Sequence, residues 1–398
     1  MARIAYVCAD AGVPVFGTKG ASVHVQEIVR AFGRMGHDIA LFAARRGGEP
    51  ADDLREVPVH SIPAPPKGDP AMRERAALAD NRSLRRALAR HGSFDVVYER
   101  YSLWSHAGIE FARREGLPGL LEVNAPLVLE QARHRTLVHR AAAERVAQRI
   151  FATATALIAV SPGVTTYLRN ACPAAVDRIH TIPNGVDPAR FPADRFERRP
   201  GAGSNGPFTI GFLGTLKPWH GLDVLMDAFV RLHAETPDIR LLVVGDGPQR
   251  ESIESAAIRH GLTSAVHLTG AVAPSQVPDW LYRMDVAVAP YPGSADFYFS
   301  PLKIHEYMAA ALPVVTSRVG DLDRVVEHGV TGLLYNPDDP FALAAALRQL
   351  QHDPRLRQRL GEAGRRNVLR HHGWDAVAAG ILRLINQEPQ RNSEVCTA

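Results

Sequence analysis

Phe208-Thr209-Ile210-Gly211-Phe212-Leu213-Gly214 is a short apolar run ending on a glycine, and Leu222, Leu225, Met226, Phe229 and Leu232 follow it at i, i+3, i+4, i+7 and i+10. The run reads as a buried strand, and the spacing after it reads as one apolar face of a helix. Strand, loop and helix then recur, with further apolar runs at 240–244, 266–269, 286–289, 314–316 and 332–335. The same alternation opens the chain. A run at 4–8 precedes a helix carrying Val25, Ile28, Val29, Phe32 and Met35, then a run at 39–43, and later strand candidates fall at 95–98, 120–123, 157–160 and 179–182. Segments between them are long enough for crossover helices, so each half predicts a parallel sheet and the fold class is α/β with two Rossmann-like domains. Ligands of such sheets bind outside the carboxyl ends of the strands.

A chain of 398 residues exceeds what one hydrophobic core organises, which agrees with two domains. Hydrophobic residues at 46% and charged residues at 22% are ordinary globular usage. Net charge is only +4, and the arginines are not interleaved with aromatics, so nucleic acid is excluded as a natural partner. A phosphate-bearing small molecule or an anionic membrane surface stays open. Cys8, Cys172 and Cys396 are odd in number and widely spaced, which fits neither a disulfide framework nor a zinc site and points to a reducing cytoplasm. The N-terminus reads as a first strand and not as a signal peptide, and no stretch approaches roughly 18 consecutive apolar residues. The predicted location is cytoplasmic, with peripheral contact at the inner membrane face left open.

Between Phe191 and Pro207 the sequence turns rich in Pro, Arg and Gly without apolar period, the composition of a linker. Gly201-Ala202-Gly203-Ser204-Asn205-Gly206 matches the dinucleotide fingerprint there, but it precedes a strand where the fingerprint needs a helix. Nicotinamide binding is therefore not expected.

Phe297-Tyr298-Phe299-Ser300-Pro301-Leu302-Lys303-Ile304-His305-Glu306-Tyr307-Met308-Ala309 lies between two strand candidates. Ser300 and Pro301 suit the N-cap and first position of a helix, whose free N–H groups and positive end hold a phosphate. Lys303 in that first turn is unfavourable against the helix dipole unless an anion binds. Glu306, one turn on and sharing a face with Leu302 and Lys303, suits a ribose diol. A second phosphate candidate is the loop holding Gly214, Thr215 and Lys217, placed after the first strand of its half, where Gly214 permits close backbone approach. Val244-Gly245-Asp246-Gly247-Pro248 is a strand-to-turn signal.

These stretches resemble retaining glycosyltransferases of family four, glycosyl transferases group 1. The marks are Pro183-Asn184-Gly185-Val186-Asp187, Val244 to Pro248, Pro301 to Ala309, Gly329-Val330-Thr331-Gly332-Leu333-Leu334, and, in the first half, Gly17-Thr18-Lys19-Gly20 followed by His24 and Val25. The resemblance implies the GT-B fold, two Rossmann-like domains with parallel sheets facing across a cleft. It implies an acceptor-binding domain over 1–190, a linker over 191–207, a nucleotide-sugar-binding domain over 208–370 and, over 371–398, a C-terminal helix crossing back to the first domain, then a tail. The implied activity is transfer of a sugar from a nucleoside diphosphate sugar to an acceptor hydroxyl of a glycan, glycolipid or natural product. No cofactor and no metal are implied; Asp321-Leu322-Asp323 reads as a helix cap.

By position, Glu306 matches the second glutamate of the family's two-glutamate motif, which binds the donor ribose. The first glutamate is replaced by Tyr298, with Asp296 as a substitute for sugar recognition. The family's Arg and Lys phosphate contacts fall on Thr215 and His220, so Lys217 and Lys303 are the replacements. The expected donor contacts are thus Gly214, Thr215, Asp246, Gly247, Pro301, Leu302, Lys303 and Glu306, with Lys217, Lys303 and Glu306 carrying catalysis. Asn124 stands where many relatives carry an active-site His. In the retaining mechanism the resemblance implies, the leaving diphosphate takes the acceptor's proton, so no side-chain base is required. Gly20, His24, Asn124, Arg100, Asp296 and Tyr298 are the candidates for donor-sugar or acceptor contact. For Arg100, within Tyr98-Glu99-Arg100-Tyr101, a buried salt bridge is the equal alternative. A helix from Arg73 to Arg90 carries six arginines and reads first as a solvated face, secondarily as a contact for anionic lipid or an acidic acceptor. The rival readings are a GT-B epimerase or phosphorylase and a nucleotide-sugar-binding protein without catalysis. Oligomeric state is not legible.

Overall fold

The structure, a computed structural model, describes residues 1–192, 206–293, 298, 300 and 302–386. The chain forms two compact units, Met1–Pro183 together with the segment from Trp374 onward, and Asn184–Gly373.

In the N-terminal unit the strands are β1 (Arg3–Cys8), β2 (Asp38–Ala43), β3 (Val59–Ser61), β4 (Val96–Arg100), β5 (Gly119–Val123), β6 (Ala156–Ala159) and β7 (Ile179–Thr181). They make one parallel sheet in the order β3-β2-β1-β4-β5-β6-β7. In β1, Ile4 to Cys8 are all buried, because helices cover both faces, and this is why the strands read as unbroken apolar runs. β3 has no such run. It is a three-residue edge strand with no buried residue, so no apolar signal marks it. The stretch expected as one arginine-rich helix is two, Pro70–Ala79 and Asn81–Arg90. Asn81 sets the break: its amide donates to Leu78 O (2.9 Å) and Trp104 O (2.8 Å), spending a polar side chain on local backbone. The helix Trp374–Arg383 packs on Gly20–Arg34, where the Trp374 ring meets His24 edge-on at 5.0 Å and Asp375 pairs with Arg34.

The C-terminal unit holds β8 (Phe208–Leu213), β9 (Ile239–Val244), β10 (Val266–Leu268), β11 (Val286–Ala289), β12 (Val314–Ser317) and β13 (Gly332–Tyr335), again all parallel, in the order β10-β9-β8-β11-β12-β13. The helix Leu222–Glu235 buries the five residues of its predicted apolar face, with Leu225, Phe229 and Leu232 fully enclosed. In both sheets the chain runs outward on one side of the first strand and then jumps to its other side. The crevice for a ligand opens at that switch, between the loops after β8 and β11 in this unit. Most of the expected linker lies outside the described residues, but Phe191 at its start is fully buried in this unit's core.

Candidate donor site

Two glycines bring the exits of β8 and β9 into backbone contact. Gly214 has φ +139° and Gly245 φ +142°, and a Cβ on Gly245 would lie 2.0 Å from Gly214 O. Gly214 N donates to Val244 O (2.9 Å) and Leu216 N to Asp246 O (3.0 Å), so the loop after β8 is fixed along the turn after β9. Asp246 serves that turn: its Oδ1 accepts from Gly247 N at 2.8 Å. Thr215 is exposed, and its carbonyl takes the His220 Nδ1–H at 2.6 Å.

The helix Leu302–Ala309 is anchored over the same edge by Tyr307, whose hydroxyl accepts from Leu213 N (2.8 Å) and donates to Val288 O (3.4 Å), at the ends of β8 and β11. From this helix Lys303 lies over the Phe212 ring (4.3 Å to the centroid) and the Tyr291 ring (5.3 Å). Its Nζ is buried, has no hydrogen-bond partner among the described residues and sits 3.1 Å from where a Cβ on Gly214 would be. Burial pulls the Lys303 ammonium down to about 7, against a smaller upward pull from Glu306. Lys217, at the other end of the loop, lies 5.5 Å over Trp219. Both lysines act on His220, which burial, then Lys303 and Lys217, hold at about 3, so the imidazole is neutral and supplies no positive charge.

Sequence reasoning missed Arg190. Its Nη1 lies 3.3 Å from Glu306 Oε1, both side chains largely buried, while Nη2 donates to Pro274 O at 2.7 Å. The Asn184 N–H donates to Ser300 Oγ (3.3 Å), so the segment that opens with Asn184 and closes at Arg190 touches the Lys303 helix region twice. The only signal in the sequence is that Arg190 follows Asn184-Gly185-Val186-Asp187 closely; its partner is 116 residues away. Leu302 opens the helix half-buried, and Tyr298 lies half-buried between β11 and the helix. Asp296 and Pro301 fall outside the described residues.

In the N-terminal unit His24, Arg100 and Asn124 gather around Glu122, a residue not singled out beforehand because it interrupts an apolar strand. His24 Nε2 is 2.9 Å from Glu122 Oε1, and Arg100 Nη1 is 3.4 Å from Oε2 and 3.3 Å from His24 Nδ1. Burial pushes the Glu122 carboxyl up, but His24 and Arg100, with Asn124 in the same direction, hold it at about 2. His24 is buried and Arg100 is half-buried here, whereas Gly20 is exposed at the start of its helix. Asp321 precedes the short helix Leu322–Val325 but makes no side-chain cap; its nearest cation is Arg324 at 3.7 Å. Among the described residues no three His, Cys, Asp or Glu side chains are grouped to hold a metal, and no helix is long and apolar enough to cross a membrane.

Residues 207–353 match the family model described as glycosyl transferases group 1, and residues 18–190 match that of glycosyltransferase family 4. A D-inositol 3-phosphate glycosyltransferase of Xylanimonas cellulosilytica is 30% identical over 398 residues, covering 94% of this chain and 92% of that one. Among solved structures, Anabaena HepE in complex with UDP and glucose aligns with a TM-score of 0.71 at 19% identity, over 97% of this chain and all of that one. Sucrose-phosphate synthase from Thermosynechococcus elongatus aligns with a TM-score of 0.75 at 21% identity, over 97% and 99%.

Proposed function

Because the chain belongs to the glycosyl transferases group 1 family, and is a glycosyltransferase with the GT-B fold, we propose that it moves a sugar, with retention, from a nucleoside diphosphate sugar to an acceptor hydroxyl. The observation that carries this reading is the buried Nζ of Lys303, unpartnered among the described residues, against the bare Cα of Gly214. An ammonium removed from water without a partner is costly, and a diphosphate at the open face of Gly214 would offset that cost. Negative charge on the leaving phosphate grows as the glycosidic bond breaks, so Lys303, with Lys217 from the adjoining loop, stabilises the transition state more than the bound donor.

Glu306, held beside Arg190, takes the ribose diol. Asn124 cannot act as a base, which supports the same-face route in which the diphosphate oxygen receives the acceptor proton. Two lysines at one diphosphate also make a divalent cation unnecessary. The free thiols of Cys8 and Cys172 support a reducing cytoplasm as the place of work. HepE's UDP makes UDP-sugars the first donors to try.

Calorimetric titration with UDP-, GDP-, ADP- and dTDP-sugars tests the reading. The expected result is binding of one series, loss of affinity in Glu306→Ala with the fold intact, and turnover that survives EDTA. Failure of every donor to bind, or wild-type donor affinity in Glu306→Ala, overturns it.

A further inference from the structure

The positive charge of this chain is concentrated. Residues 70–90 and 127–149 hold eleven arginines against four carboxylates, a net +7 within a chain of net +4, so everything else together carries −3. The two segments converge in the N-terminal unit. Glu74 of the helix Pro70–Ala79 accepts from Val138 N (2.9 Å) and His139 N (2.7 Å), tying the first segment to the second. Between them lies a cavity of about 470 Å³, closed by the loops after β1, β3, β4 and β5. That places it outside the carboxyl ends of the strands, and the volume suits a small ligand.

The polar groups facing this cavity are unequal in what they have left to give. Glu74 is occupied by the two amides and by the His139 ring, 3.2 Å away. Asp10 accepts from Gly12 N at 2.7 Å. Arg73 and Arg135, by contrast, line the cavity from the first and the second segment as exposed side chains with no side-chain partner among the described residues, and the half-buried carboxylate of Asp80 at the helix break has none there either. Two unpaired guanidinium groups make a fork for an oxyanion, and a lone carboxylate accepts from hydroxyls. Around them the wall is mixed: Trp104 and three prolines supply apolar surface, and Asn81, Ser102, Ser105, Glu130 and Gln131 supply polar surface.

We propose that this cavity receives the acceptor, and that the acceptor is a hydroxylated molecule carrying a phosphate, its anion held by Arg73 and Arg135 and its hydroxyls by Asp80. The inference rests on the glycosyltransferase reading above. The phosphate belongs either to a free phosphorylated sugar or polyol or to a phosphorylated lipid headgroup, and the arginines surrounding the cavity favour both sources by long-range attraction.

The test uses the full chain and binding alone. Glucose 6-phosphate and glucose, glycerol 3-phosphate and glycerol, and phosphatidylcholine vesicles with and without phosphatidylglycerol are titrated into the wild type, Arg73→Ala/Arg135→Ala, and the control Arg86→Ala/Arg90→Ala, which lies outside the cavity. A phosphorylated probe, free or on vesicles, should bind at least ~10-fold more tightly than its neutral counterpart, and the gain should vanish in the first variant and persist in the control. Free probes that bind assign a free acceptor; binding confined to anionic vesicles assigns a lipid. Equal affinity for charged and neutral probes, binding unchanged in Arg73→Ala/Arg135→Ala, or an equal loss in the control overturns the proposal. UDP-sugar binding in the same samples reports separately on the donor site, so its failure is distinguishable from failure here.

Discussion

Glu122 in the N-terminal unit and Lys303 in the C-terminal unit are both buried charges near the carboxyl end of a parallel sheet with the same winding, yet only one is matched. Glu122 has His24 and Arg100 within 3.4 Å, and its charge is satisfied inside the protein. Lys303 has aromatic faces and a glycine, and among the described residues no hydrogen-bond acceptor at its nitrogen. A charge completed by its own chain belongs to the scaffold. One left open is waiting for a ligand that brings the opposite charge. The contrast also separates Arg100 from Arg73 and Arg135, which are arginines of one unit with different prospects of meeting a substrate.

The largest effect should come from unmatching the matched charge. Glu122→Ala leaves the buried His24 and the half-buried Arg100 without their carboxylate and should cost about 3–5 kcal/mol of stability. Urea unfolding followed in the N-terminal unit measures it. Wild-type stability would erase the distinction drawn here.

Next, Lys303→Ala should lower turnover by ~100-fold or more while changing donor affinity less, because the lysine acts on charge that grows in the transition state. Lys217→Ala should act on the same group, so the double variant should lose less than the product of the single losses. Steady-state kinetics decides; a raised Michaelis constant with normal turnover would mean the lysines only bind.

A smaller loss is expected from Arg190→Ala, about 10-fold in donor affinity, through loosened placement of the Glu306 carboxylate. Arg190→Lys should recover part of it. An unchanged dissociation constant in Arg190→Ala would show that the Arg190 contact does not orient Glu306.

The smallest effect is a proton. Lys303 sits near 7 in the folded protein and at its ordinary 10.5 when unfolded, so between those values the unfolded chain binds more protons. Stability of the unliganded protein should therefore rise with pH across that window, by up to one proton's slope. A diphosphate raises the lysine again, so binding above pH 7 should take up a proton and weaken as pH rises. Calorimetry in buffers of different ionisation enthalpy reads the uptake, and Lys303→Met should abolish it. Proton uptake undiminished in Lys303→Met would assign the titration elsewhere.

Much of this was legible in sequence because it is local. Strands buried on both faces announce themselves as apolar runs, and a lysine in the first turn of a helix is locally uncomfortable whatever surrounds it. Three features were not legible, each for a physical reason. Arg190 meets Glu306 only because the chain returns across 116 residues. Glu122 looks like a blemish in Leu120-Leu121-Glu122-Val123 until His24 and Arg100 are placed beside it. The break at Asp80 depends on Asn81 reaching Trp104 O in a distant loop, while propensity alone runs the helix through.

The helix Trp374–Arg383 belongs to the N-terminal unit but is made after the whole of the other unit. On the ribosome, the sheet from β1 to β7 emerges and must then wait for the whole of Asn184–Gly373 to be translated, roughly ten to forty seconds at ordinary elongation rates, before Trp374 can reach His24. During that interval the face of the helix Gly20–Arg34 that carries His24 and Arg34 lacks its cover, while the later-born unit can already close its own core. The order of maturation is thus the reverse of the order of synthesis, and the nascent first half is the stage at which a chaperone would find its grip.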